Sequence, residues 1–158
     1  MVKGGTIVNI TKELIDEYGD MVTKICIMNL RNSDDAKDCF QDVFIKLYHH
    51  KDFDSKEHLK AWLIRVSITT CKDYQRRFYK SAINIDDVVV SHHQNDLKLL
   101  PILLTLDNKY KNVLYLYYYE GYKINEIAQI LHSNENTIKS RLKRGKKYLK
   151  EKLGDEYI

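Results

Sequence analysis

Proline occurs once in the 158 residues, at Pro101, and glycine six times, so long stretches run without a helix breaker. The three cysteines, Cys26, Cys39 and Cys71, are odd in number, widely spaced and not arranged Cys-x-x-Cys, which argues against a disulfide framework or a structural zinc site. Reduced, buried thiols are expected, and no cofactor. No apolar run approaches the roughly 20 residues that cross a bilayer, and Met-Val-Lys-Gly-Gly-Thr at the start lacks a signal-peptide core. Membrane insertion is therefore not expected, and a cytoplasmic location is. There is no GxGxxG, P-loop, His-Glu-x-x-His or nucleophile elbow, so the usual catalytic signatures are missing. The length also excludes catalytic scaffolds of about 250 residues. His49-His50 and His92-His93 lack a neighbouring ligand set and read as loop residues rather than metal ligands.

What is present is charge, unevenly placed. Lysine and arginine number 26 against 22 acids, a formal net charge of only +4. Yet Lys139 to Lys152 holds eight bases and one acid, Glu151. Such clustering marks a polyanion-binding surface or a solvated helix face. Acids gather instead at Asp34, Asp35, Asp38 and Asp42, and a second basic group forms near Arg65, Lys72, Arg76 and Arg77.

Apolar spacing of three and four predicts helices throughout. Asn9 to Leu30 carries Leu14, Tyr18, Met21, Val22, Ile25 and Cys26 on one stripe. Ser33 reads as the N-cap of a second helix, with Asp34 and Asp35 suited to its positive end. Its inner face is expected to be Ala36, Phe40, Val43, Phe44, Leu47 and Tyr48. After a loop from His49 to Asp54, Ser55 caps a third helix with Leu59, Trp62, Leu63, Val66, Thr70 and Tyr74 inward. These helices can share one small core.

Periodicity fades from about Tyr79 to Asp96, which reads as a linker. Helical stretches follow at Leu97 to Leu106, Asp107 to Glu120 with Gly121 as a stop, and Ile124 to Leu131. A last helix is expected after an Asn134 N-cap, running to about Leu153 with Ile138, Leu142, Gly145 and Leu149 inside. Val113 to Tyr119 has strand propensity, but its period suits a helix. The expected fold is all-α, two small helical domains at 9–79 and 97–154 joined by a flexible linker at 80–96. Fully extended, the linker could reach about 55 Å, comparable to about 16 base pairs.

Glu126 to Leu142, broken at His132-Ser133-Asn134, gives a helix, a tight turn and a basic helix, the arrangement that sets a recognition helix in the major groove. Lys139, Ser140, Lys143, Arg144 and Lys147 share its outer face. On the third helix Arg65, Thr69, Lys72 and Arg76, spaced four, three and four, repeat the pattern.

Asp34-Asp35-Ala36-Lys37-Asp38-Cys39-Phe40-Gln41-Asp42-Val43-Phe44, followed by Leu59-Lys60-Ala61-Trp62-Leu63-Ile64-Arg65-Val66, resembles region 2 of extracytoplasmic-function (ECF) sigma factors of the sigma-70 family. Gly121 to Ala128 and Asn136 to Gly145 resemble region 4. The resemblance implies a transcription initiation factor whose partners are core RNA polymerase and promoter DNA, with region 4 on the minus-35 element and region 2 melting the minus-10 element. It implies that Asp38, Gln41 and Asp42 contact the largest polymerase subunit. It also adds Thr137 and Arg141 to the DNA-facing residues. The loop from His49 to His58 would hold a flipped base, with Phe53, Lys51 and Lys56 available. An anti-sigma partner is implied by the resemblance only. Several positions depart from the pattern: Thr69 stands where Asn is frequent, Lys123 where Ser or Thr often caps, His132 where Gly often turns the chain, and Ser133 where an apolar residue packs. A looser helix-turn-helix joint is the expectation. Two other readings remain open from the residues: a helix-turn-helix regulator that binds duplex DNA alone, and a helical adaptor.

Overall fold

The structure, a computed structural model, describes residues 7–50, 52–78 and 101–154. The linker expected at 80–96, the start of the helix expected at Leu97, and Lys51, His92 and His93 lie outside the described residues. Every regular element described is helical. The chain divides into two compact units, Met1–Ser91 and His92–Ile158.

The first unit contains α1 (Ile7–Leu30), α2 (Ser33–His49) and α3 (Lys56–Phe78), each packed on the other two. The stripe read from the sequence of α1 is buried at all six positions, with Val22, Ile25 and Cys26 wholly inaccessible. Between α1 and α2 the chain turns through Arg31 in the left-handed region (φ 58°). Asn32 then caps α2, its side-chain oxygen accepting from the N–H groups of Asp34 and Asp35 at 2.9 and 3.1 Å. The cap is thus one residue earlier than the Ser33 expected. The Asn carbonyl reaches two of the orphan donors of the first turn. Ser55 does cap the third helix: its Oγ accepts from the His58 N–H at 3.1 Å.

Two inner faces differ from expectation. In α2, Cys39 is buried while Phe40 is half-buried and Tyr48 exposed. In α3 the buried set is Leu59, Leu63, Ile64, Ser67, Ile68, Thr70 and Cys71, and Trp62, Val66 and Tyr74 sit at the edge. The stripe can rotate because the polar residues inside have partners, Ser67 within α3 and Thr70 on α2. Ser67 donates to the Leu63 carbonyl at 2.6 Å, and Thr70 Oγ1 accepts from Lys46 at 3.0 Å. A hydroxyl with a partner costs little to bury.

The same rotation brings the three cysteines together. Cys26 from α1, Cys39 from α2 and Cys71 from α3 are all inaccessible, and their sulfurs lie within 4.8 Å of one another. The Cys39 and Cys71 sulfurs are 3.4 Å apart. Hydrogen bonds from Cys26 and then Cys71 hold the Cys39 thiol down, whereas the Cys26 thiol is pushed up, first by its contact with Cys39.

The second unit contains a helical turn at residues 101–103, then α4 (Asn108–Tyr118), α5 (Ile124–Ile130) and α6 (Glu135–Leu153). Leu103, Leu104 and Leu106 are buried ahead of α4. Helix α4 is buried at seven consecutive positions, Tyr110 to Leu116, as a helix covered on all sides must be. It packs on both α5 and α6. Gly121 stops it at φ 73°, a conformation in which glycine avoids the Cβ penalty. The four residues expected inside α6, Ile138, Leu142, Gly145 and Leu149, are the four that are buried.

Candidate nucleic-acid interface

The joint between α5 and α6 determines where the basic helix points. Glu126 Oε1 accepts from the Lys123 N–H at 3.0 Å, which satisfies a donor at the start of α5 although Lys123 offers no acceptor of its own. At the other end His132 takes φ 51° in place of glycine. The turn is tight, not loose as the substitutions suggested: Leu131 N–H donates to Ile127 O and Ser133 N–H to Ala128 O, both at 2.9 Å. Backbone bonds hold the joint, so the residue types at 132 and 133 matter less than its carbonyl positions. Asn134 Oδ1 then accepts from the Thr137 N–H at 2.8 Å. Asn134→Ala should lower stability by about 1 kcal/mol through loss of this cap, seen as a drop in melting temperature that Asn134→Asp largely avoids.

With Ile138, Leu142, Gly145 and Leu149 packed inward, α6 turns Lys139, Ser140, Lys143, Arg144 and Lys147 to solvent, and Thr137 and Arg141 are half-exposed. Asn134, Asn136, Thr137, Ser140, Arg141 and Arg144 line a groove of about 410 Å³, with Lys109 and Tyr110 of α4 on its other wall. Lys109 and Asn136 were not singled out from the sequence. Lys109 sits before the buried α4 run, so only the fold brings it beside the recognition helix. Lys146 has a different task, lying over the rings of Tyr117 and Tyr118 at 5.2 and 5.9 Å from their centroids. The tyrosines therefore divide: Tyr110 and Tyr115 are core, and Tyr118 is exposed.

On α3 the expected row is on the surface. Thr69, Lys72 and Arg76 are exposed and Arg65 is half-exposed. Thr69 Oγ1 donates to the Arg65 carbonyl at 2.8 Å. Arg76 lies 3.6 Å from Asp73, an exposed pair that salt weakens. The loop before α3 differs from expectation. Phe53 is 5% exposed, stacked on His50 at 4.4 Å and set edge-on to Trp62 at 5.4 Å. Phe53 anchors the loop and offers no free ring face to a base. Its neighbour His50 is on the surface and also contacts Trp62 at 4.9 Å.

Asp38 and Gln41 are exposed on α2, and Asp42 is half-buried because its Oδ2 accepts from the Tyr74 hydroxyl at 2.8 Å. Burial, reinforced by that bond, pushes the Tyr74 hydroxyl up, so it remains a donor. Partial burial and then the charges of Asp38 and Asp34 raise Asp35. The ridge also has an apolar element that the search for charge missed. Ile45, 54% exposed, continues the spacing of Asp38, Gln41 and Asp42, and Tyr48, 43% exposed, flanks it. Both were assigned to the core or passed over because they are apolar, and an exposed apolar patch on a helix is more often a contact site.

Among the described residues no helix is long and apolar enough to cross a membrane. The family description "Sigma-70 region 2" matches residues 14–89, and "Sigma-70, region 4" matches residues 97–149. The chain is similar to RNA polymerase sigma factor SigV of Bacillus subtilis (strain 168), 29% identical with 84% of each chain covered. It is also similar to ECF RNA polymerase sigma factor SigW of the same organism, 27% identical, covering 90% of this chain and 88% of that one. In fold it is similar to the sigma factor RpoE, solved with the anti-sigma factor NepR from Bartonella quintana, at a TM-score of 0.71 and 24% identity over 94% of this chain and 98% of that chain. The fold of CnrH, solved with the cytosolic domain of CnrY, is similar at a TM-score of 0.65 and 20% identity, over 92% of this chain and 88% of that chain. Region 2 is followed by region 4 with only seven residues between the two matches, too few for another domain. The chain thus belongs to the ECF group of the sigma-70 family, as an alternative RNA polymerase sigma factor for promoter-specific transcription initiation.

Proposed function

We propose that residues 97–154 read the minus-35 element and residues 9–79 dock on core polymerase and open the minus-10 element, with 80–96 as the tether. The outward cationic face of α6 carries this reading. Arg144 and Ser140 occupy the centre of that face, Lys139, Lys143 and Lys147 reach phosphates, and Thr137 and Arg141 fill the groove wall. On α3, Arg65, Lys72 and Arg76 follow the backbone of the opened strand, and Thr69 meets a base. Asp38, Gln41 and Asp42 grip the largest polymerase subunit, with Ile45 as the apolar anchor among them. Charged pairs give such a contact its orientation, and the buried apolar residue gives it much of its affinity.

The chemistry of RNA synthesis belongs to the polymerase, and this chain supplies recognition, acting where polymerase and chromosome are, in the cytoplasm. The structural relatives RpoE and CnrH were each solved with a partner protein, an anti-sigma factor in the case of RpoE. A similar inhibitory partner is proposed for this chain.

The test is transcription in vitro from a promoter selected by sequencing transcripts after overproduction. Core polymerase plus this chain should give promoter-dependent transcripts, and tight sequence-specific binding by the chain alone would favour the stand-alone regulator instead. Arg144→Ala should cost about 1–3 kcal/mol if the guanidinium holds a guanine edge in two hydrogen bonds. Unaltered selectivity at every minus-35 position would remove Arg144 from base reading.

A further inference from the structure

The DNA faces and the α2 ridge belong to the sites above. The three thiols inside the first unit belong to none of them. We propose that Cys26, Cys39 and Cys71 form a three-sulfur site for a soft ion that accepts three-coordinate ligation, of the arsenic(III) class.

Geometry is the first argument. Three sulfurs held at about 2.3 Å from a common centre, the usual length for thiolate ligation, stand about 4 Å apart in a plane and closer in a pyramid. The observed sulfurs lie within 4.8 Å of one another, with one pair at 3.4 Å. Each thiol comes from a different helix, so one bound ion would join α1, α2 and α3. No histidine or carboxylate joins the group among the described residues, which leaves a wholly soft donor set.

Charge and coordination number narrow the class. Three thiolates leave two net negative charges around a monovalent ion, one around a divalent ion and none around a trivalent one. All three cysteines are inaccessible, and an unpaired charge in such a place is costly. Zinc would also call for a fourth ligand. Arsenic(III) is satisfied by three. In water it is the small neutral trihydroxide, which can enter when the bundle opens locally. The step balances without a redox change. Three As–O bonds break and three As–S bonds form, each thiol proton leaves with a hydroxide as water, and arsenic stays trivalent.

The test uses the full chain, reduced with a phosphine because dithiols compete for arsenic, and sodium arsenite as the probe. The expected result is one arsenic per chain and a mass gain of one arsenic less three hydrogens. All three thiols should be lost to a disulfide reagent, and the melting temperature should rise with arsenite. Cys26→Ser, Cys39→Ser and Cys71→Ser should each weaken binding by about 10²–10⁴, the gain a linked further ligand provides. Should the variants not fold, X-ray absorption on the parent chain decides, since three As–S distances with no As–O support the site and two As–S do not. Absence of uptake by the reduced protein would make the cluster ordinary core packing and overturn the proposal, as would tighter binding of zinc(II) than of arsenite. Binding is measured without polymerase or DNA, so the outcome is independent of the promoter-directing role.

Discussion

Asp38→Lys should weaken binding to core polymerase by about 2 kcal/mol or more, roughly thirtyfold, while leaving the melting temperature of the chain unchanged. Asp38 is exposed on α2, so reversal acts on the partner. Asp42 is a less clean position. Its Oδ2 accepts from the Tyr74 hydroxyl across to α3, so Asp42→Lys would loosen the bundle as well as repel the partner. Tyr74→Phe separates the two effects, because it removes the internal bond and keeps the carboxylate. Ile45→Ala completes the set, with a loss of affinity and no loss of stability expected at a side chain 54% exposed. Affinity measured by fluorescence anisotropy with labelled chain checks all four. Unchanged affinity in Asp38→Lys and Ile45→Ala together would remove the α2 ridge from polymerase docking.

The second large effect lies in the core of the other unit. A Cβ added at Gly145 would sit 2.9 Å from Leu114 Cδ1 and 3.0 Å from its Cγ. Leu114 is itself 1% exposed within the buried run of α4 and has little room to withdraw. Gly145→Val should destabilise the unit by about 3 kcal/mol, the upper part of the usual range for overpacking a core. Gly145→Ala should cost less, because about 1 kcal/mol of helix propensity offsets part of the clash. Thermal melts compare the two, and promoter binding should fall in step with the fraction folded. A Val variant as stable as the parent would mean that α4 and α6 can separate without penalty.

Helices with one buried face were legible in the residues. The stripe of α1 and the four inner residues of α6 were read correctly because each helix is covered on one side and wet on the other. Helix α4 could be recognised as a helix, but its inner face could not be read, since seven consecutive residues, Lys111 and Asn112 among them, are buried. The inner face of α3 was only partly read: Thr70 was placed inside correctly, but Ser67 looks like a surface residue until its bond to the Leu63 carbonyl is known, and Trp62, Val66 and Tyr74 were taken as core. The charged rows on α2, α3 and α6 follow from spacing alone. Ile45, Lys109 and the meeting of three cysteines do not, for each depends on which residues distant in sequence, or which missing cover, the fold supplies. Phe53 shows the converse error: an aromatic residue in a polar loop invites a role in stacking bases, yet its ring is already enclosed by His50 and Trp62.

Thr69 has one proton to give, and it goes to the carbonyl of Arg65. What the side chain presents outward is a lone pair. In the minus-10 role proposed for it, such a group suits an exocyclic amine, which adenine, cytosine and guanine carry and thymine lacks. It disfavours the carbonyl edges of thymine and guanine, which would require the internal bond to break at about 1 kcal/mol. On that proposal, the base preferred at this step of the opened strand is set partly by how the helix satisfies its own backbone.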